Sequence, residues 1–289
     1  MAAEVGITDC HVHINPVWEM LPEARAILSP AAQGPEMERM LHHPEEFLAY
    51  LDRSGVDRAV LVNYVSPKIV GYTERTNDFV SQFVRADPER LIGVGGVLPT
   101  HPDPGGEVRR LVKELGIRGL KVHPPHQLLA PNAYVTEGMT GLREIYAAAQ
   151  ELHIPIIFHT GTSVFPGARN RFGSPLLVED VAIDFPDLTI VLAHGGRPIW
   201  MEEAMFLTRR FPHVYLEVSG VPPSRLLHYF PELPRIGDKV LFGSDWPGPG
   251  VKDIGENVRT FRALPIPSEI LERILVTNPE RVFARARDP

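Results

Sequence analysis

Three observations predict a (β/α)8 TIM barrel forming one domain over residues 1–289: eight short apolar runs, amphipathic helical patterns between them, and a chain of 289 residues. Barrels of this class reach about 250 residues or more as a single domain. The β-rich runs are 6–14, 58–65, 91–99, 117–124, 155–161, 189–196, 213–220 and 239–247. Helical patterns lie at 44–55, 77–87, 106–116, 141–153, 198–211 and 254–264, with apolar residues recurring three and four positions apart. Strands alternating with helices imply a parallel sheet with helical crossovers, and eight such units close most naturally into a barrel. The stretch 268–283 adds one or two closing helices. The 29 prolines and 24 glycines are spread along the chain, as many strand–helix corners require, and no low-complexity linker divides it.

Taken in order, five of the runs end on a residue that can bind metal or carry protons. The first, TDCHVHI, ends on His11 and His13. Their spacing of two puts both on one face of a strand, and the same alternation turns Cys10 and Val12 toward the helices. Asp9 falls on the His11 face, where it can support the site from below. The second and third runs carry no such group. The fourth, GLKVHP, brings Lys121 and His123 to one face, and the fifth, IIFHTG, ends on His159. The sixth, IVLAHGG, ends on His194; the seventh, VYLEVSG, carries Glu217; the eighth, LFGSDWP, ends on Asp245. Glycines and prolines follow these ends and mark the turns into loops. Barrel enzymes place their chemistry at the C-terminal ends of the strands, so the five ends converge on one site. Imidazole nitrogen and carboxylate oxygen are the donors that hold Zn²⁺ or a similar divalent ion.

Charge and composition narrow the partners to a small molecule. A net charge of −7 without a basic run argues against nucleic acid. No apolar run approaches a membrane span, and the N-terminus shows no basic-then-apolar leader pattern. One cysteine, Cys10, excludes an internal disulfide. A cytoplasmic protein is the expectation.

The ordered set of HxH on strand one, histidines on strands five and six and aspartate on strand eight resembles the amidohydrolase superfamily. AHGG and FGSDWP look like its amidohydrolase-2 branch, which includes relatives of aminocarboxymuconate-semialdehyde decarboxylase. The resemblance implies that His11, His13, His159 and Asp245 bind one divalent metal, most often zinc, with manganese, iron or cobalt as alternatives. It implies that His194 handles protons beside the metal, and that Asp245 shares in that chemistry. Family members often form homodimers.

Lys121 stands where binuclear relatives carry a carbamylated lysine. The alternative role is contact with a substrate carboxylate, with His123 lining the pocket. Arg169 and Arg171, in the loop after strand five, are candidates for binding an acidic substrate, because guanidinium forks match carboxylates. Glu217 on strand seven and Trp246 beside Asp245 are expected to line the pocket, and His126 is a further candidate contact after strand four. The loop 15–43 is long enough to act as a lid.

Two reaction classes fit this set. The first is hydrolysis of a small amide, lactone or ester, possibly carrying a carboxylate, by metal-activated water. The second is metal-dependent, non-oxidative decarboxylation of a small carboxylic acid. Aromatic-acid decarboxylases of the branch typically carry Gly-His-Met-Gly-Glu on strand six, and AHGGRP departs from that pattern, which favours hydrolysis.

Overall fold

Eight parallel strands in chain order form the barrel wall: β1 Thr8–Val12, β2 Arg58–Val62, β3 Leu91–Val94, β4 Leu120–Val122, β5 Ile156–His159, β6 Ile190–Ala193, β7 Val214–Glu217 and β8 Val240–Leu241. The structure is a computed structural model and describes residues 6–30 and 32–284. Ladders run β1-β2-β3 and β4-β5-β6-β7-β8. Two seams join them into a closed barrel. Lys121 N donates to Gly95 O (2.8 Å) at the β3–β4 seam, and Cys10 N donates to Phe242 O (2.9 Å) at the β8–β1 seam. Each strand falls inside one of the eight apolar runs.

Helices Pro44–Ser54, Arg75–Val84, Pro104–Lys113, Thr140–Glu151, Met201–Arg210 and Ile254–Arg262 occupy the six helical patterns. Their starts are locally encoded. Asp103 caps Gly106 N at 2.8 Å and Asp253 caps Glu256 N at 2.7 Å. The other two crossovers depart from the regular plan. Between β5 and β6 there are only short turns and the helix Glu179–Asp184, and between β7 and β8 only single-turn pieces.

Two apolar layers follow from strand alternation. Leu61, Leu120, Phe158 and Leu216 pack outward against helix residues such as Phe47, Leu51, Leu111 and Tyr146. Val60, Val62, Ile92, Val94, Ile157, Val191 and Leu241 fill the barrel interior with Val282 and Phe283 from the closing segment. Cys10 belongs to this interior group, contrary to strict alternation. The reason is a register shift in β1 between Asp9 and Val12, which inserts one extra residue and lets Cys10 and His11 both point inward. The same shift pairs Asp9 with Ala59, whose side chain belongs to the outer layer, so Asp9 does not lie beneath the imidazoles. Its carboxylate accepts hydrogen bonds from His11 N (3.1 Å) and Ser244 N (2.9 Å) and ties the ends of β1 and β8 together. Among the described residues, no helix is long and apolar enough to cross a membrane.

Candidate active site

His11, His13 and Asp245 bring one donor atom each within 4.8 Å of one another at the C-terminal mouth of the barrel. His11 Nδ1 donates to Glu217 Oε2 at 2.8 Å, and His13 Nδ1 donates to the carbonyl of Val62 at 3.1 Å. A neutral ring that donates through Nδ1 keeps a lone pair on Nε2. The Nε2 atoms of His11 and His13 lie 3.9 Å and 3.2 Å from Asp245 Oδ1, and two imidazole nitrogens converging with a carboxylate oxygen in this way are a donor set that suits a divalent metal. Burial, reinforced by the charge of Lys121, holds the His11 ring well below the usual imidazole range and so in its ligating, neutral form. Burial alone would raise the Asp245 carboxyl, but the contact with His13 and the charge of Arg197 outweigh it and hold it low.

His159 is placed on the same wall but outside that tight trio. Its Nε2 is buried without a hydrogen-bond partner, as is His11 Nε2, and its ring centroid is 4.7 Å from that of His194. Two open, buried nitrogens on neutral rings fit the expectation of a metal-binding group better than a structural one.

Glu217 and Ser219, at the end of β7, organise the site from behind. Ser219 Oγ donates to Glu217 Oε2 at 2.9 Å and lies 2.9 Å from His194 Nδ1, which is also 3.3 Å from Ser219 O. With the hydroxyl proton committed to Glu217, His194 donates through Nδ1 and leaves an open lone pair on Nε2, on a ring that burial and the charge of Arg197 hold well below the usual imidazole range. His11, His194 and Glu217 also form a cluster of metal-competent types. There, however, the imidazole nitrogens carry protons pointing at Glu217 and Ser219, so this cluster positions rings rather than binding an ion. Gly243 makes the arrangement possible. A Cβ there would stand 2.5 Å from Glu217 Oε1 and 2.7 Å from His11 Cβ. Sequence reading placed Glu217 in the pocket lining and overlooked Ser219; the signal was a buried carboxylate ending an inward strand position.

His194 and Asp245 both adopt left-handed backbone, with φ of 65° and 66°. Non-glycine residues rarely sit there, and such conformations gather at functional sites. His194 directly follows β6, so its left-handed backbone marks where that strand stops.

A cavity of about 270 Å³ opens beside these groups. Lys121, His123, His159, His194, Arg197 and Asp245 line it. Lys121 Nζ is buried and has no hydrogen-bond partner. Burial lowers its pKa, while the carboxylates of Glu217 and Asp245 favour the charged form. Arg197 Nη2 pairs with Asp245 Oδ2 at 3.2 Å, and Gly220 leaves room for the guanidinium, since a Cβ would stand 2.4 Å from its Nε. The segment after β1 contributes Val17, Met20, Ile27 and Met37 to the cavity wall.

Three expected substrate contacts are not on the cavity wall. Arg169 and Arg171 are exposed, and the Arg171 guanidinium lies over the Phe172 ring at 4.7 Å. Trp246 is buried in the outer layer, its ring 4.9 Å from Tyr50 and 6.2 Å from Phe47. It follows Asp245 in sequence, and alternation turns it away from the site. The cation that reaches the cavity is Arg197, from the turn after β6.

Comparison with known proteins agrees with this architecture. A 4-sulfomuconolactone hydrolase from Rhizobium radiobacter is 24% identical over 307 residues, covering 96% of this chain and 90% of that protein. Among solved structures, an uncharacterized TIM-barrel protein from Bordetella bronchiseptica superposes with a TM-score of 0.76 at 23% identity, covering 98% of this chain and 99% of that one. A dihydroxybenzoic acid decarboxylase from a Polaromonas species gives 0.72 at 18% identity, covering 98% of each chain. A 5-carboxyvanillate decarboxylase from Sphingomonas paucimobilis gives 0.67 at 18%, covering 97% and 99%. The family model described as Amidohydrolase matches residues 8–285, and the chain therefore belongs to the amidohydrolase family.

Proposed function

We propose that the protein is a metal-dependent hydrolase of a small carbonyl compound that carries an anionic group, with a lactone as the favoured class. The carrying observation is the pairing of open, neutral imidazole nitrogens around Asp245 with two cations, Lys121 and Arg197, on the same cavity wall. His11, His13, His159 and Asp245 would hold one divalent ion, with zinc the first expectation. When bound, such an ion polarises a carbonyl and makes water acidic enough to act near neutral pH. The chain's own residues do the rest. Lys121 and Arg197 draw in and orient the substrate's anionic group. His194, proton-bearing at Nδ1, offers Nε2 to accept a proton from the attacking water and return it to the leaving oxygen. The lid side chains Met20, Ile27 and Met37 exclude bulk water and strengthen these charge contacts.

The lactone hydrolase relative at 24% identity supports hydrolysis. Decarboxylation is the second reading, favoured by decarboxylases among the structures of like fold, one of which carries manganese. Turnover in ¹⁸O-water of a panel of small lactones and benzoic acids separates the two. Label in a product acid supports hydrolysis; carbon dioxide release from the acids without label sinks it.

A further inference from the structure

A second polar cluster lines the same cavity and has no part in the chemistry above. His126 Nδ1 lies 2.9 Å from Tyr64 Oη, and His126 Nε2 lies 2.6 Å from Ser163 Oγ. Tyr64, His126 and Ser163 all line the cavity, and Tyr64 and His126 are almost fully buried. The three come from the ends of β2, β4 and β5, and the loops that carry them are tied in place. Ser66 Oγ donates to His126 O (3.1 Å), Arg169 N to Pro125 O (3.0 Å), and Ser163 N to Asn170 Oδ1 (2.8 Å). Stacked imidazoles connect this cluster to the metal-type group: His126 on His123 at 3.5 Å between centroids, and His123 on His159 at 3.9 Å.

Counting protons shows what the chain can offer. A phenol, a neutral imidazole and a hydroxyl bring one hydrogen each, and the two internal contacts use two of the three. Burial, with the charge of Lys121 second, holds His126 down at about 3, so the ring is neutral, and burial keeps the Tyr64 phenol protonated. In one arrangement Tyr64 donates to Nδ1, Nε2–H donates to Ser163, and Tyr64 shows the cavity a lone pair. In the other, Ser163 donates to Nε2, Nδ1–H donates to Tyr64, and the phenol hydrogen points into the cavity. Ser163 Oγ accepts from Phe165 N (3.2 Å), which either arrangement permits. Reversal needs only hydroxyl rotation and a tautomer exchange, with no charge created.

We infer that Tyr64, His126 and Ser163 form a specificity subsite that binds an uncharged oxygen substituent of the substrate, hydroxyl or carbonyl, at Tyr64 Oη. The reversible chain lets the phenol act as donor to a carbonyl or acceptor from a hydroxyl at little cost. This rests on the cavity being the substrate site, but its test reads binding rather than turnover. The substrate thereby acquires a second oxygen function across the cavity from the carbonyl addressed by the Asp245 group.

The test uses the full-length, metal-loaded protein with three probes: phenol, acetophenone and toluene, followed by ligand-observed NMR titration. Tyr64→Phe is expected to weaken phenol and acetophenone by about five-fold each, the worth of one neutral hydrogen bond, and to leave toluene unchanged. Equal changes for all three probes in Tyr64→Phe, no change for any, or failure of phenol and acetophenone to bind the unaltered protein overturns the subsite. Because no turnover is read, these outcomes are independent of whether the reaction is hydrolysis.

Discussion

Glu217 Oε2 accepts a hydrogen bond from His11 Nδ1 at 2.8 Å, linking the end of β7 to the end of β1 beneath the mouth of the barrel. The contact fixes which nitrogen of His11 carries the proton and which faces Asp245. Glu217→Gln keeps the shape but replaces a carboxyl group, which burial pushes up to about 7, with a neutral amide. We predict that divalent-ion affinity falls by about 10- to 100-fold, the usual effect of losing a carboxylate behind a ligating histidine. Competition titration against a chromophoric chelator measures it, with circular dichroism to confirm folding. Unchanged affinity would remove Glu217 from the metal-supporting role.

Gly243 is the space in which this pair sits. Gly243→Ala places a methyl 2.5 Å from Glu217 Oε1 and 2.7 Å from His11 Cβ, closer than real contacts allow. The backbone must shift, at a cost of about 1–3 kcal/mol for overpacking a tight site. Urea unfolding is expected to show that loss together with weaker ion binding. A variant with the stability and ion affinity of the parent refutes the argument.

Much of this site was legible because barrel topology forces it. A residue ending an inward strand position has nowhere to go but the mouth, so His11, His13, Lys121, His123, His159 and Asp245 could be placed from alternation and turn signals alone. What alternation missed had specific causes. The extra residue in β1 turned Cys10 inward and Asp9 outward, and a one-residue shift leaves no mark in composition. His194 departs from alternation through its left-handed backbone, which glycines on its C-terminal side hint at but do not specify. Arg169 and Arg171 carry the right charge on a loop beside the site, but the path of that loop leaves them exposed, and no local pattern in the sequence reports it. The short crossovers after β5 and β7 escaped because single-turn helices hold too few residues to show a period.

Arg197 takes the part first expected of Arg169 and Arg171. Its guanidinium lines the cavity and pairs with Asp245 at 3.2 Å. Arg197→Ala is expected to raise KM for an anionic substrate by about 10- to 100-fold, the range for losing a charge-assisted contact. Arg169→Ala and Arg171→Ala should stay within about two-fold of the parent, as exposed side chains away from the cavity do. Steady-state kinetics on the accepted substrate decides between them. Equal effects in all three variants would return the loop arginines to the site.

His194 gives the sharpest separation between proton handling and metal binding. Its φ of 65° lies in the left-handed region, where alanine is strained but asparagine is tolerated. His194→Asn therefore removes the Nε2 lone pair without distorting the turn, and the amide can still donate toward Ser219. If His194 moves protons and does not bind the ion, the variant keeps full metal content and loses about 10²-fold or more in kcat, the usual size of a general acid–base contribution. Lost metal with lost activity would place His194 among the ligands. Full activity would mean that another group accepts the proton, and that the ring, with Nδ1 2.9 Å from Ser219 Oγ, serves only to brace the end of β7. Metal analysis and kinetics on one preparation distinguish the three outcomes, because the asparagine changes the proton acceptor and leaves the backbone that presents it in place.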